Sequence, residues 1–204
     1  GFDNYYRERD DVFVAGDLLW YPIEGDNKTR YAPDVMIAFG RPPGDRGSYR
    51  QWEENNQPPN VVFEVMSPGN TAKEMAQKLQ SYDRLGVHEY YVYDPDRGEL
   101  SGWIRKEPAG ALEEIENMQG WQSPLTQVTF RLDGDHLEVT RPDGEVFLTP
   151  VEMGMALDAE RQRADEERQR AAEERQRAEA SELRAAKLAE RLRSLGIDPD
   201  DGAE

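Results

Sequence analysis

Two carboxylates stand in segments where a chain normally places apolar side chains. Asp34 opens the run DVMIAF directly after Pro33, and Glu64 lies inside VVFEVM, residues 61–66. A carboxylate buried without a partner is costly, so such a residue carries a counter-charge, a shifted pKa or a metal ion. Two carboxylates at adjacent strand ends repel each other, and a divalent cation removes the conflict. Hard cations such as Mg²⁺, with Mn²⁺ as an alternative, take oxygen ligands, often one or two protein carboxylates completed by water and phosphate oxygens. The Val65 carbonyl is a further candidate ligand. An ion held this way lowers the pKa of its bound water and stabilises charge developing on a phosphate. A lysine beside it would stabilise the same charge or orient the attacking water.

Two lysines follow the second acid. The stretch SPGNTAKEMAQKLQSYDRLGV breaks at Pro68–Gly69, offers Asn70 or Thr71 as a helix cap with Glu74 in the first turn, and stops at Gly86. Ala72, Met75, Ala76, Leu79 and Tyr82 form its apolar face. At about 100° per residue, Lys78 lies about 80° from the centre of that face and Lys73 about 140° away. Lys78 is therefore placed at the edge of the buried face, within reach of strand ends, and Lys73 toward solvent.

The elements that must position these groups can be read around them. DVFVAGDLLWYP reads as one or two strands turning near Gly16–Asp17; residues 34–39 and 61–66 read as buried strands, and EYYVYDP as a third. SYRQWEEN suggests a short helix. Strand, helix and strand in that order suggest a βαβ crossover. After Glu99 come shorter strand-like runs, LSGWIR, ALEEI, VTFRL, HLEVT and EVFLT, an antiparallel extension. The body, residues 1–150, is thus expected to be α/β (α+β).

From Pro150 the character changes. ERQRA occurs at 160, 167 and 174, and no Gly or Pro interrupts Met155 to Leu195, which predicts one long helix ending at Gly196. Glu166–Arg170 and Glu173–Arg177 have the favourable spacing for ion pairs. Ala164, Ala171 and Ala178 make a thin seam, whereas Leu183, Leu188, Leu192 and Leu195 suit packing on a partner. Two readings stand side by side: a solvated helix, or a coiled coil joining a second copy or another protein. Residues 151–196 form this appendage and 197–204 an acidic tail.

The 204 residues carry a net charge of −17 and no cysteine. Between Asp158 and Arg193 ten acids and ten bases cancel; Asp198, Asp200, Asp201 and Glu204 contribute −4, leaving −13 on residues 1–157. That balance opposes tight, nonspecific nucleic-acid binding, which depends on neutralising phosphates. The absence of cysteine excludes disulfides and thiolate metal sites and fits a reducing, cytoplasmic setting. No apolar run reaches the length of a membrane span. The chain opens at Gly1 rather than Met, which leaves room for residues upstream.

Pro33–Asp34, Glu64 within VVFEVMSPGNT, Lys78 within KLQSY, and GVHEYYVYDP together resemble the Uma-two family of the PD-(D/E)XK nuclease superfamily over roughly residues 5–150. The resemblance implies a restriction-endonuclease-like core with a central mixed sheet. It implies Mg²⁺-dependent hydrolysis of phosphodiester bonds in DNA, with Asp34 and Glu64 as metal ligands and Lys78 as the catalytic lysine. A homodimer would suit an enzyme that cuts two strands. In the superfamily's basic motif the lysine lies two residues after the glutamate, where this chain has Met66. The acid-bearing N-terminal helix common in these nucleases has no clear equivalent, and neither Asp17 nor Glu24 is assigned in its place.

Plainer roles compete. Asp34 also reads as a cap for backbone amides, Glu64 and Lys78 as a simple ion pair, and Lys78 alone as a surface lysine with a buried stem. Arg41, Arg46 and Arg50 are candidate phosphate contacts or parts of a solvated loop. His88 and His136 lack metal-ligand spacing, and Tyr90, Tyr91 and Tyr93 alternate as core residues of a strand do. At the level of the whole chain the rival to a nuclease is a nuclease-like fold that serves as an inactive binding or scaffold subunit, docked through its C-terminal helix.

Overall fold

A computed structural model describes residues 1–67, 69–148 and 150–194, which divide into two units, Gly1–Phe147 and the segment from Leu148 onward. The first is built on a six-stranded sheet. Its strands are β1 (Val12–Ala15), β3 (Val35–Phe39), β5 (Val61–Val65), β6 (Glu89–Asp94), β7 (Glu99–Arg105) and β8 (Leu112–Glu114), in the spatial order β1-β3-β5-β6-β7-β8. Only β5 and β6 run parallel; every other neighbour pair is antiparallel. Parallel neighbours need a crossover, and helix α2 (Ala72–Leu85) supplies it. The expected α/β (α+β) body with a βαβ unit and antiparallel extension is what the chain forms.

The start and stop of α2 follow from its sequence. Thr71 accepts from the Glu74 N–H while the Glu74 carboxylate takes the Thr71 N–H, a reciprocal capping box. Gly86 ends the helix at φ +92°, a left-handed conformation that a β-carbon penalises.

Side-chain alternation sorts the strands onto two faces. On one, Met36, Ala38, Val62, Tyr90 and Val92 pack beneath Tyr82 of α2, together with Trp20 of β2 (Trp20–Tyr21) and Tyr49 of β4 (Tyr49–Arg50). On the other, Val12, Ile37, Val61 and Tyr91 pack against Phe130 of the hairpin β9 (Thr129–Asp133)–β10 (His136–Thr140) and against Tyr6. Tyr6 follows α1 (Phe2–Tyr5), a single turn that sequence periodicity does not reveal; Phe2 of this turn stacks on Phe63 at 5.1 Å.

Two expectations need correction. EVFLT forms no strand over its described residues, 145–148: Val146 makes an isolated bridge to Thr140. SYRQWEEN divides into β4 and a 3₁₀ turn, Gln51–Glu53, because Tyr49 pairs in parallel with Trp20.

The second unit is helix α3, Pro150–Ser194. At about 1.5 Å per residue its 45 residues span roughly 67 Å. Glu166 and Arg170 pair at 3.8 Å as expected, but Glu173–Arg177 is not among the pairs formed by the described residues; Arg175 instead reaches Glu179 at 3.1 Å. Leu183 and Leu188 are exposed. The expected end at Gly196, with Leu195 and the acidic tail, lies outside the described residues. No described helix is long and apolar enough to cross a membrane.

Candidate active site

Strands β3 and β5 pair with Val35 opposite Phe63 and Met36 opposite Val62. Continuing that antiparallel register by one residue sets Asp34 opposite Glu64, so a cross-strand pair of acids forms at the end of the ladder. The preceding turn holds this strand end tightly. The Asp17 N–H donates to the Pro33 carbonyl at 3.0 Å, and a β-carbon on Gly16 would sit 3.1 Å from the Asp34 carbonyl oxygen. One Asp34 oxygen, Oδ2, accepts from the Val65 N–H at 2.5 Å. Asp34 therefore does cap a backbone amide, the plainer role considered for it, but this engages one oxygen only. Val65, a candidate ligand through its carbonyl, is tied to Asp34 through its amide.

Glu64 lies on the α2 side of the sheet and is only 4% exposed. Lys78 and Tyr82 are four residues apart on α2, hence on one helix face. They close on the two oxygens of the carboxylate: Lys78 Nζ is 2.7 Å from Oε2, and the Tyr82 hydroxyl donates to Oε1 at 2.7 Å. The Lys78 side chain stays 30% exposed, at the edge of the buried face as its helical position predicts, while Lys73 faces solvent. Asp34, Glu64, Val65 and Lys78 thus meet in one place. Tyr82 is the member that sequence reasoning assigned only to the core; its i+4 relation to Lys78 was the available signal.

Burial pushes the Glu64 carboxyl above the usual glutamate range. Hydrogen bonds from Lys78 and Tyr82 and the lysine's charge oppose this, and the Asp34 charge reinforces it. Burial, followed by the Glu64 charge, pushes the Tyr82 phenol up, so it remains a donor. Tyr82 is itself fixed by Trp20, stacked at 5.9 Å, and by Tyr31, edge-on at 5.4 Å.

Other candidates lie elsewhere or are engaged. Arg46 pairs with Glu54 at 2.8 Å and lies over the Phe13 ring, Arg50 pairs with Glu53, and Arg41 donates to the Gly40 carbonyl. These contacts favour the structural reading of that loop over a phosphate-binding one. Because Phe63 and Glu64 point to opposite faces, α1, stacked on Phe63, lies across the sheet from the acids. His88 is partly buried, and burial, then Arg105, lowers its pKa.

The donor set fits a hard cation. It offers oxygen only, from two carboxylates with unused lone pairs, and Mg²⁺ sites commonly take no more than that from protein. Among the described residues no group of three or more His, Cys, Asp or Glu side chains is placed to hold a metal ion, so water and substrate oxygens would complete the shell.

The model of the Uma2 family, described as "Putative restriction endonuclease", matches residues 2–140. No curated protein matches the chain. Among solved structures, a "putative nuclease belonging to DUF820" from Anabaena variabilis is similar at 11% identity and a TM-score of 0.42, over 60% of this chain and 64% of that one. The chain therefore spans less than two thirds of that protein's length.

Proposed function

The chain belongs to the Uma2 family, and from this premise we propose that it is a metal-dependent endonuclease hydrolysing phosphodiester bonds in DNA. One observation supports the reading: a partly exposed lysine is hydrogen-bonded to a buried glutamate beside a second carboxylate. Asp34 and Glu64 would hold a Mg²⁺ or Mn²⁺ ion, with the Val65 carbonyl as a third oxygen donor, and that ion when bound supplies charge stabilisation at the phosphate and an acidified water.

The rest falls to the chain's own side chains. Tyr82 holds Glu64 in one rotamer, so the carboxylate is oriented before substrate arrives. Lys78 keeps its ammonium at the mouth of the site. As a phosphodiester oxygen approaches, Nζ can donate to it while remaining beside Glu64, placing positive charge where negative charge grows as water attacks phosphorus and the bond to the leaving oxygen breaks.

The charge of −13 on residues 1–157 favours a second reading. There the nuclease fold is an inactive subunit, and α3, with Leu183 and Leu188 exposed, docks on a second copy or a larger assembly. Incubation with plasmid and single-stranded DNA, with Mg²⁺ or Mn²⁺ and with chelator, separates the two. Metal-dependent cleavage that disappears in Asp34→Ala and in Lys78→Ala supports the enzyme. Absence of cleavage in every condition, or cleavage indifferent to both substitutions, overturns it.

A further inference from the structure

Beside the acids, the first turns of α2 stand away from the sheet. Ala72 and Ala76 were expected to be covered, yet both are exposed, whereas Tyr82 further along the same face is fully buried. The gap is a groove of about 560 Å³, within the roughly 300–1,000 Å³ typical of small-ligand clefts. Met75 and Leu79 form its helix wall; Met66, Val92 and Trp103 form its floor. Met66 follows Glu64 on the same face of β5, so the groove begins where the acid pair ends.

Its chemistry is specific. The floor includes Tyr90, whose ring stacks on Trp103 at 5.4 Å and whose side chain is wholly buried. The Tyr90 hydroxyl has no hydrogen-bond partner. A buried polar group in that state carries a desolvation penalty. The flat aromatic and thioether walls suit a planar ring. The rim is acidic: Asp94, Asp96 and Glu99 line it with Arg97, which already lies 3.7 Å from Asp94 and 3.9 Å from Glu99. Such a rim repels a phosphate and accepts hydrogen bonds from amino groups.

We propose that this groove takes one unstacked, amino-bearing nucleobase of the substrate, turned out of its strand beside the phosphate to be cut. The assignment rests on the nuclease reading for its substrate and on the groove itself for its shape. A base leaves a single strand, mismatch or distorted duplex most easily, so substrates of that kind are preferred. Aromatic stacking supplies affinity without phosphate contacts, which suits a body with this much negative charge.

The test uses free nucleosides and the full chain, labelled at its six methionine methyls. Adenosine is expected to shift the Met66 and Met75 signals saturably. Inosine, which lacks the exocyclic amino group, should bind about tenfold more weakly, the worth of one hydrogen bond to a charged group. Ala76→Phe, at an exposed helix position, fills the groove and should abolish the shifts while the fold is retained. Unmoved Met66 and Met75 signals up to the solubility limit of adenosine, equal binding of inosine, or normal titration of Ala76→Phe would overturn the proposal. Failure of the nuclease reading looks different: saturable methyl shifts in a protein that cuts no DNA support the base site and discard the enzyme.

Discussion

Glu64 and Glu89 sit on adjacent parallel strands, both buried, and face opposite sides of the sheet. Glu89 is 0% exposed and meets neutral donors only: the Ser123 hydroxyl at 2.5 Å, the Leu125 N–H at 2.9 Å and the Tyr91 hydroxyl at 3.0 Å. It staples the loop before β9 to β6. Glu64 meets one neutral donor and one cation, and the cation reaches solvent. Burial raises the pKa of both, so neither burial nor a shifted pKa separates a structural acid from a chemical one. What differs at Glu64 is the second carboxylate and a partly exposed charged partner; under the proposed nuclease reading these are the contacts that a substrate would exchange.

The comparison can be broken most directly at Glu64. Glu64→Gln is expected to lower DNA cleavage by about 10²–10³-fold, measured as the nicking rate of plasmid at saturating Mg²⁺, while the urea midpoint stays near that of the wild type because Lys78 can turn to water. Glu89→Ala should do the reverse. It strands buried donors and is expected to cost about 3 kcal/mol of stability by urea titration; a loss confined to activity would show that the two acids had been assigned the wrong way round.

Smaller effects sharpen the contrast. Tyr82→Phe removes a hydrogen bond to a charged group and should cost about 1.5–3 kcal/mol of stability, with a drop in cleavage rate as Glu64 loses its orientation. Thr71→Ala, which removes the cap of the helix carrying both Lys78 and Tyr82, should cost about 1 kcal/mol, readable in the thermal midpoint.

The last effect is a slope with pH. Glu89 has a folded pKa raised above its ordinary 4.5. Its contribution is fully present below the unfolded pKa and is lost as pH rises through the folded value. Glu89→Gln lacks this titration. The stability difference between wild type and Glu89→Gln should therefore be largest at low pH and narrow as pH rises; a difference that widens would contradict the assignment.

Much of this arrangement was legible in one dimension. A helix cap at Asn70 or Thr71 with Glu74 in the first turn, the stop at Gly86 and the order strand–helix–strand follow from local chemistry, and with them the crossover; the structure chose Thr71 as the cap. Helical phase alone put Lys78 at the edge of the buried face. Other features were hidden. Glu89 opens a strand as Glu64 comes one residue before the end of another, and nothing near it in sequence announces Ser123 and Leu125, more than thirty residues away. Tyr82 read as core because apolar periodicity does not register a phenol oxygen. The single turn at Phe2–Tyr5 is too short to have a period and is held by aromatic contacts across the chain.

By itself the sequence determined which residues could be strand, helix and cap, because backbone preference and side-chain phase act within a few residues. It also determined that two acids would fall at strand ends. Only the tertiary structure decided that β3 and β5 pair in the register that sets Asp34 opposite Glu64, and that α2 lifts at its start to leave a groove. Both depend on contacts between segments far apart in the chain, where packing of Trp20, Tyr49, Tyr82 and Tyr90 fixes the distances that local propensity cannot.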